Sequence, residues 1–317
     1  MNQYGQLRRL LRNRKVVLGL GILAFFALMA IFGPLVVHGD PNAFLGTRNQ
    51  PPSPQHPLGT TGQGQDVLLQ LVNGARTSLG VGLVVGILAT VIGTLVGITS
   101  AYFGGLTDEG LSLTTNVFII LPGLPLLVAL AAFLPPGVGT MIFVLTITGW
   151  AGTARVIRSQ ALSIRARDFV AAATVSGERP LRIMLREIMP NMASIVVGVF
   201  VGSVTYGIIA QAGLEFLGLG DLSSVSWGTM LYWAGNNAAL LQGTWWTFLP
   251  PGLCIALVGF ALALMNYGAD EITNPRLRGG SDARNARKKQ SKLLARRANR
   301  AAVAAPGATS VKEATRA

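Results

Sequence analysis

Charge is scarce in this 317-residue chain: 12% of residues are charged and 50% are hydrophobic. Average soluble domains carry about 25% charge, so the composition excludes an ordinary soluble globule and favours a protein bathed largely in lipid. Cysteine is almost missing. Cys254 stands alone in an apolar run, which excludes an intrachain disulfide and a cysteine-cluster metal site. The two histidines, His38 and His56, lie in a Gly/Pro-rich segment and read as solvated loop residues rather than a ligand pair. Every lysine (Lys15, Lys288, Lys289, Lys292 and Lys312) belongs to a tail, and none follows a glycine. A phosphate-cradling loop ending in Gly-Lys is therefore excluded, and any ATP that drives this protein must be bound by another chain.

The net charge of +13 divides unevenly: residues 1–15 carry +5, residues 270–317 carry +8, and residues 16–269 balance nine basic against nine acidic side chains. Between the tails, uncharged runs dominate. A crossing needs about 20 apolar residues, and six candidates meet or approach that length: Val16–Val37, Leu79–Phe103, Leu111–Leu134, Val138–Ala154, Met192–Leu214 and Trp245–Gly268. Pro135-Pro136-Gly137 is the expected turn between the third and fourth. The first run exceeds a signal-peptide core and lacks an A-x-A site before His38, so it is read as a retained span. Arg and Lys concentrate in residues 1–15, 155–191 and the carboxyl tail, whereas 38–78 holds only Arg48 and Arg76 and 215–244 holds neither. Both termini and the 155–191 loop are thus expected on the cytoplasmic side. The fold class that follows is all-α, integral to the membrane, with six transmembrane helices.

Those spans contain no Asp, Glu, Lys, Arg or His, which counts against an ion-driven carrier and against intramembrane catalysis. Asn116, Thr205, Tyr206, Gln211 and Asn266 are the polar candidates to line a pathway, each also suited to an ordinary helix–helix hydrogen bond. Gly82/Gly86, Gly93/Gly97 and Gly198/Gly202 are spaced for close helix approach.

The 155–191 segment is the most informative stretch. Arg155 and Arg158 share one face of a helix continuing out of the fourth span. Asp168-Phe169-Val170-Ala171-Ala172-Ala173 reads as a second short helix, ended by Gly177. Pro180 suits the first turn of a third helix, in which Leu181, Met184, Leu185 and Ile188 form one apolar stripe opposite Arg182 and Arg186. Pro190 precedes the fifth span. The result is a compact knob whose small side chains suit a groove in another protein; the bland alternative is a helix lying on the bilayer surface.

Here the sequence resembles a known family. Phe169-Val170-Ala171-Ala172-Ala173, the following Gly177 and Ile188-Met189-Pro190-Asn191 are similar to the EAA loop of ABC importer permeases. His56-Pro57-Leu58-Gly59-Thr60, Tyr102-Phe103-Gly104-Gly105, Phe216-Leu217-Gly218-Leu219-Gly220, Ser226-Trp227-Gly228 and Asn274-Pro275-Arg276-Leu277-Arg278 extend the likeness to the C-type permease subunit of oligopeptide/dipeptide importers, over residues 5–279. The sequence departs from that pattern at Ala171, where the family carries glutamate, at Thr61 and Gln65, and at Asn274.

The resemblance implies a type I ABC importer permease fold in a bacterial plasma (inner) membrane. It implies as partners a homologous B-type permease, two cytosolic ABC ATPases that bind the ATP and Mg, and an extracytoplasmic substrate-binding protein; this chain would hold no cofactor and would not be an enzyme. Asp168, Phe169, Ala171, Ala172, Ala173, Gly177 and Pro190 would form the ATPase-coupling loop. Peptides are the expected substrate; nickel, glutathione or oligosaccharide, or a passive channel, are the alternatives. The domain plan is a basic amphipathic helix (1–15), a first span (16–37), an extracytoplasmic loop (38–78), a five-helix core (79–279) and a basic disordered tail (280–317). The basic ends suit anionic lipid rather than nucleic acid, since no recognition motif accompanies them.

Overall fold

A computed structural model describes residues 14–273 and 290–291. The chain divides into two units, 1–270 and 271–317. The second is described only at the end of the last helix and at 290–291, which are helical, so the expectations for 1–13 and for the 280–317 tail fall almost wholly outside the described residues.

Unit 1 is all-helical: among the described residues the only β feature is a single antiparallel bridge, Thr60 to Asp66. In chain order the helices are α1 (Arg14–Val36), α2 (Val67–Phe103), α3 (Gly105–Ile120), α4 (Gly123–Phe133), α5 (Val138–Arg165) and α6 (Asp168–Val175). A helical segment α7 (180–191) follows, then α8 (Ala193–Phe216), α9 (Trp227–Asn236), α10 (Ala239–Gln242) and α11 (Leu249–Thr273). A 3₁₀ turn at Trp245–Thr247 leads into α11. Among the described residues, five helical stretches are long and apolar enough to cross a membrane alone, and α3 with α4 makes a sixth if the bent pair counts as one span.

That bent pair departs from the expected straight span Leu111–Leu134. α3 and α4 meet at 87°, and the cause is Pro122 rather than the later Pro135-Pro136. Pro122 offers no N–H, and Leu121 before it takes an extended conformation (φ −60°, ψ 132°) that ends the helix.

The second departure is α2. It begins at Val67, twelve residues ahead of Leu79, and so occupies part of the expected 38–78 loop. Its 37 residues span about 55 Å, well beyond the hydrocarbon. Gln70, Asn73 and Arg76 interrupt the apolar run, but tertiary contacts hold the extra turns helical. Asp66 caps them, its Oδ1 accepting from Leu68 N at 2.8 Å and Leu69 N at 3.0 Å. The fully buried Trp227 of α9 then seats on α2, its indole N–H donating to Leu71 O at 3.0 Å and its backbone N–H to Ser78 Oγ at 3.1 Å.

α2 is the central post, packing most extensively on α5 and α8. Two glycine pairs allow this. A Cβ on Gly93 would lie 2.8 Å from Trp150 O, and one on Gly97 2.7 Å from Ala154 O, so α5 approaches backbone to backbone. Gly82 and Gly86 receive Ile208 and Val204 of α8 in the same way. The third pair differs: Gly202 has nothing within 4 Å and Gly198 only Asn266 Oδ1 at 3.6 Å. Outward, α1 and α2 expose Phe25, Leu28, Ile31, Leu83, Ile87, Val91 and Leu95, the surface a lipid-facing bundle requires.

Candidate functional site

The 155–191 segment is built from the end of α5, all of α6 and α7. α5 runs past Ala154 to Arg165, and Arg165 Nη1 donates to Ala101 O of α2 at 2.9 Å. α6 starts at Asp168, whose carboxylate sits in the first turn where the helix dipole favours negative charge. Of its eight residues only Val170 is buried, against Ile157 and Ala161 of α5, Ile98 and Ala101 of α2, and Ile183, Met184 and Ile188 of α7. The helix closes in a two-bond terminal turn. Gly177 N donates to Thr174 O at 3.1 Å and Glu178 N to Ala173 O at 3.2 Å, with Gly177 at φ +75°. This left-handed position is the one a side chain would strain. Glu178 then pairs with Arg182 at 2.9 Å, joining the turn to α7.

The apolar stripe of α7 is not the expected one. Ile183, Met184 and Ile188 are buried, whereas Leu181 and Leu185 are 63% and 47% exposed. Residues Ile183–Ile188 form a π turn, with Met189 N bonded to Met184 O. The wider turn brings Ile183 and Ile188, five apart, onto one face, a register that a count of 3.6 residues per turn does not give. Pro190 lies in the last helical turn of α7 and is exposed.

The opposite surface of α6 is unfilled. Phe169 is 41% and Val175 89% exposed, with Ala171 and Ala172 also open. Phe169, Ala172 and Val175, each three apart, make one apolar face of low relief. Asp168, Phe169, Ala171, Ala172, Ala173 and Gly177 thus come together on one knob, with Pro190 at its far end.

Arg155 and Arg158 are engaged rather than free. Arg158 grips Asp108 of α3 through two bonds of 2.6 Å, and Ser100 also donates to that carboxylate. Arg155 Nη2 donates to Asn116 Oδ1 at 2.8 Å. The sequence signal for the ion pair is a pair of opposite charges, Asp108 just after the second span and Arg158 just after the fourth.

The polar pathway candidates scatter. Tyr206 OH lies 2.9 Å from Thr148 Oγ1, and Thr205 Oγ1 donates to Val201 O within its own helix. Asn266 is half-buried on α11 near Gly198. Gln211 is buried, and its Nε2 donates to Glu215 Oε1 at 2.8 Å. Glu215, expected just beyond the fifth span, lies inside α8 and is 3% exposed. Ser226 Oγ donates to Glu215 Oε2 at 2.5 Å and accepts from Thr229 N at 3.0 Å, forming the N-terminal cap of α9. His56 is also not a free loop residue: its Nδ1 lies 2.8 Å from Asp66 Oδ2, at the cap of α2. Among the described residues no group of three or more His, Cys, Asp or Glu could hold a metal ion.

A bundle of five or six candidate crossings around one long post, with an α-helical knob seated on two of its helices, is an architecture suited to a membrane transport subunit. The chain belongs to the family described as binding-protein-dependent transport system inner membrane component, whose match covers residues 89–279; its fold is that of type I ABC permeases. Residues 5–52 separately match the N-terminal transmembrane domain of oligopeptide transport permease C.

Among its relatives is the dipeptide transport system permease protein DppC of Bacillus subtilis, 34% identical over 86% of this chain and 85% of that one. The oligopeptide transport system permease protein OppC of the same organism is 32% identical over 84% of this chain and 87% of its own. OppC of Mycobacterium bovis is 31% identical over 84% and 92%.

Proposed function

We propose that this chain is the C-type permease subunit of an ATP-driven peptide importer. It forms half of the translocation pathway with a homologous B-type permease, lies in a bacterial plasma membrane with both termini cytoplasmic, and receives substrate from an extracytoplasmic binding protein. Two cytosolic ABC ATPases bind the ATP and Mg and grip the α6 knob. The peptide specificity is supported by the dipeptide and oligopeptide permeases among its relatives.

The observation that carries the coupling role is the two-sided character of α6. One face is locked through Val170 to α2, α5 and α7; the other presents Phe169, Ala172 and Val175 uncovered. A push on the open face reaches α2 and α5 through the Val170 contact. ATP drives transport only if the ATPases bind one permease conformation better than another, and a rigid knob is what converts their closure into that difference.

The test is uptake by the assembled transporter carrying Gly177→Pro or Ala172→Arg. Proline removes the N–H bonded to Thr174 and rejects the left-handed φ, while arginine fills the smooth face. Both variants are expected to stay in the membrane and lose ATP-dependent peptide uptake; normal uptake in both defeats the proposal. Flux through the purified chain alone in liposomes would indicate a channel instead.

A further inference from the structure

A second polar region lies at the opposite end of the molecule from the knob. The segment ahead of α2, the first turn of α2, the 222–225 turn and α9 enclose a groove of about 330 Å³, lined by Asn42, Gln63, Gln65, Gln70, Ser224 and Trp233 among others. A narrower extension shares Gln63, Gln70 and Trp233 and continues to Asn49 and Asn237. No charged side chain lines either part.

The amides form a short relay and a separate pair. Gln70 Nε2 donates to Gln65 Oε1 at 2.7 Å, Gln65 Nε2 to Asn42 O at 3.4 Å, and Asn237 Nδ2 to Gln63 Oε1 at 3.3 Å. That leaves the Nε2 of Gln63 and the Oε1 of Gln70 without a partner among the described residues. Gln70 is 7% exposed, yet its Oε1 keeps solvent access, so it is an acceptor open to a ligand rather than a stranded one. A spare donor and a spare acceptor thus share an uncharged wall with the half-buried Trp233 indole.

That arrangement complements a peptide main chain, which presents N–H and C=O in alternation and carries no net charge. The volume lies near the lower end of the roughly 300–1,000 Å³ typical of ligand sites, which suits a short segment. We propose that this groove binds the main chain of the transported peptide on the extracytoplasmic side, through Gln63, Gln70 and the Trp233 face, without reading side-chain charge. The inference rests on the peptide-importer reading and on its orientation.

The experiment uses the complete transporter with its binding protein in proteoliposomes. The readout is the ratio of KM for Ala-Lys-Ala to KM for Ala-Glu-Ala, in Gln63→Glu and Gln63→Lys, with Gln65→Glu and Gln65→Lys as a second pair. Because the binding protein is constant, its own preference cancels between variants. A new charge against the ligand should lower the ratio about fivefold in the glutamate variants and raise it about fivefold in the lysine variants, the size of an exposed ion pair. A ratio that does not move, or KM values that change equally for both peptides, overturns the inference, because a structural or protein-docking role has no charge signature. Absence of any ATP-dependent tripeptide uptake in the unsubstituted transporter is a separate result, which defeats the peptide reading itself.

Discussion

Gly97 shows how much one hydrogen atom decides in this bundle. Its missing side chain lets Ala154 O and Arg158 N come within 2.7 and 2.9 Å of where a Cβ would stand. Backbone cannot yield as a rotamer does, so Gly97→Ala is expected to cost about 1–3 kcal/mol. Gly80→Ala, at an open mid-helix position with nothing within 4 Å, should range from neutral to stabilising by about 1 kcal/mol. Thermal unfolding of the two variants in detergent checks the contrast. Glu215 is the residue-scale counterpart among polar groups, accepting from Gln211 and Ser226 while almost wholly buried. Glu215→Ala leaves both donors stranded and is expected to destabilise by about 1–3 kcal/mol. Glu215→Leu, which fills the volume but not the bonds, should recover little of that loss in the same assay.

At the scale of elements, α2 and the α3–α4 pair were the two places where hydropathy misplaced a boundary. α2 carries polar residues through its first three turns, yet those turns are anchored by Asp66 below and Trp227 alongside. Asp66→Ala removes the cap and the partner of His56; a loss of about 1 kcal/mol is expected. It should appear as faster amide exchange at Leu68 and Leu69 with little change elsewhere. α3 and α4 were one apolar run in the sequence, and Pro122 divides them. The π turn in α7 belongs to the same class of feature: it shifts the buried face from Leu181 and Leu185 to Ile183 and Ile188, and no composition count would have found it.

For the whole molecule the testable statement is orientation. Cys254 is buried, so a Cys254→Ala background gives a clean start for cysteine labelling. With both termini cytoplasmic, Thr47→Cys should react with an impermeant maleimide added to spheroplasts, and Arg179→Cys should react only after the membrane is opened. The reverse pattern would invert the topology and place the α6 knob where no ATPase could reach it. The knob, the Asp108–Arg158 pair and the Arg165 bond to α2 all lie on one side of the bundle. The amide groove and the α2 cap lie on the other, so a single labelling result orients both proposed sites.

Helical membrane architecture followed from the sequence because the solvent imposes it: long uncharged runs in lipid must satisfy their backbone bonds internally. The family likeness, the break at Gly177 and the small residues of α6 were likewise local, written in adjacent positions. What tertiary structure alone decided was every feature made between distant segments. Arg158 meets Asp108 across fifty residues, Glu215 is sealed by a cap eleven residues on, and the amides of 42–70 face Trp233. Periodicity records which face of a helix is apolar, but not which neighbour will cover it. A polar side chain between two such faces therefore acquires its partner, and its meaning, only when the helices pack.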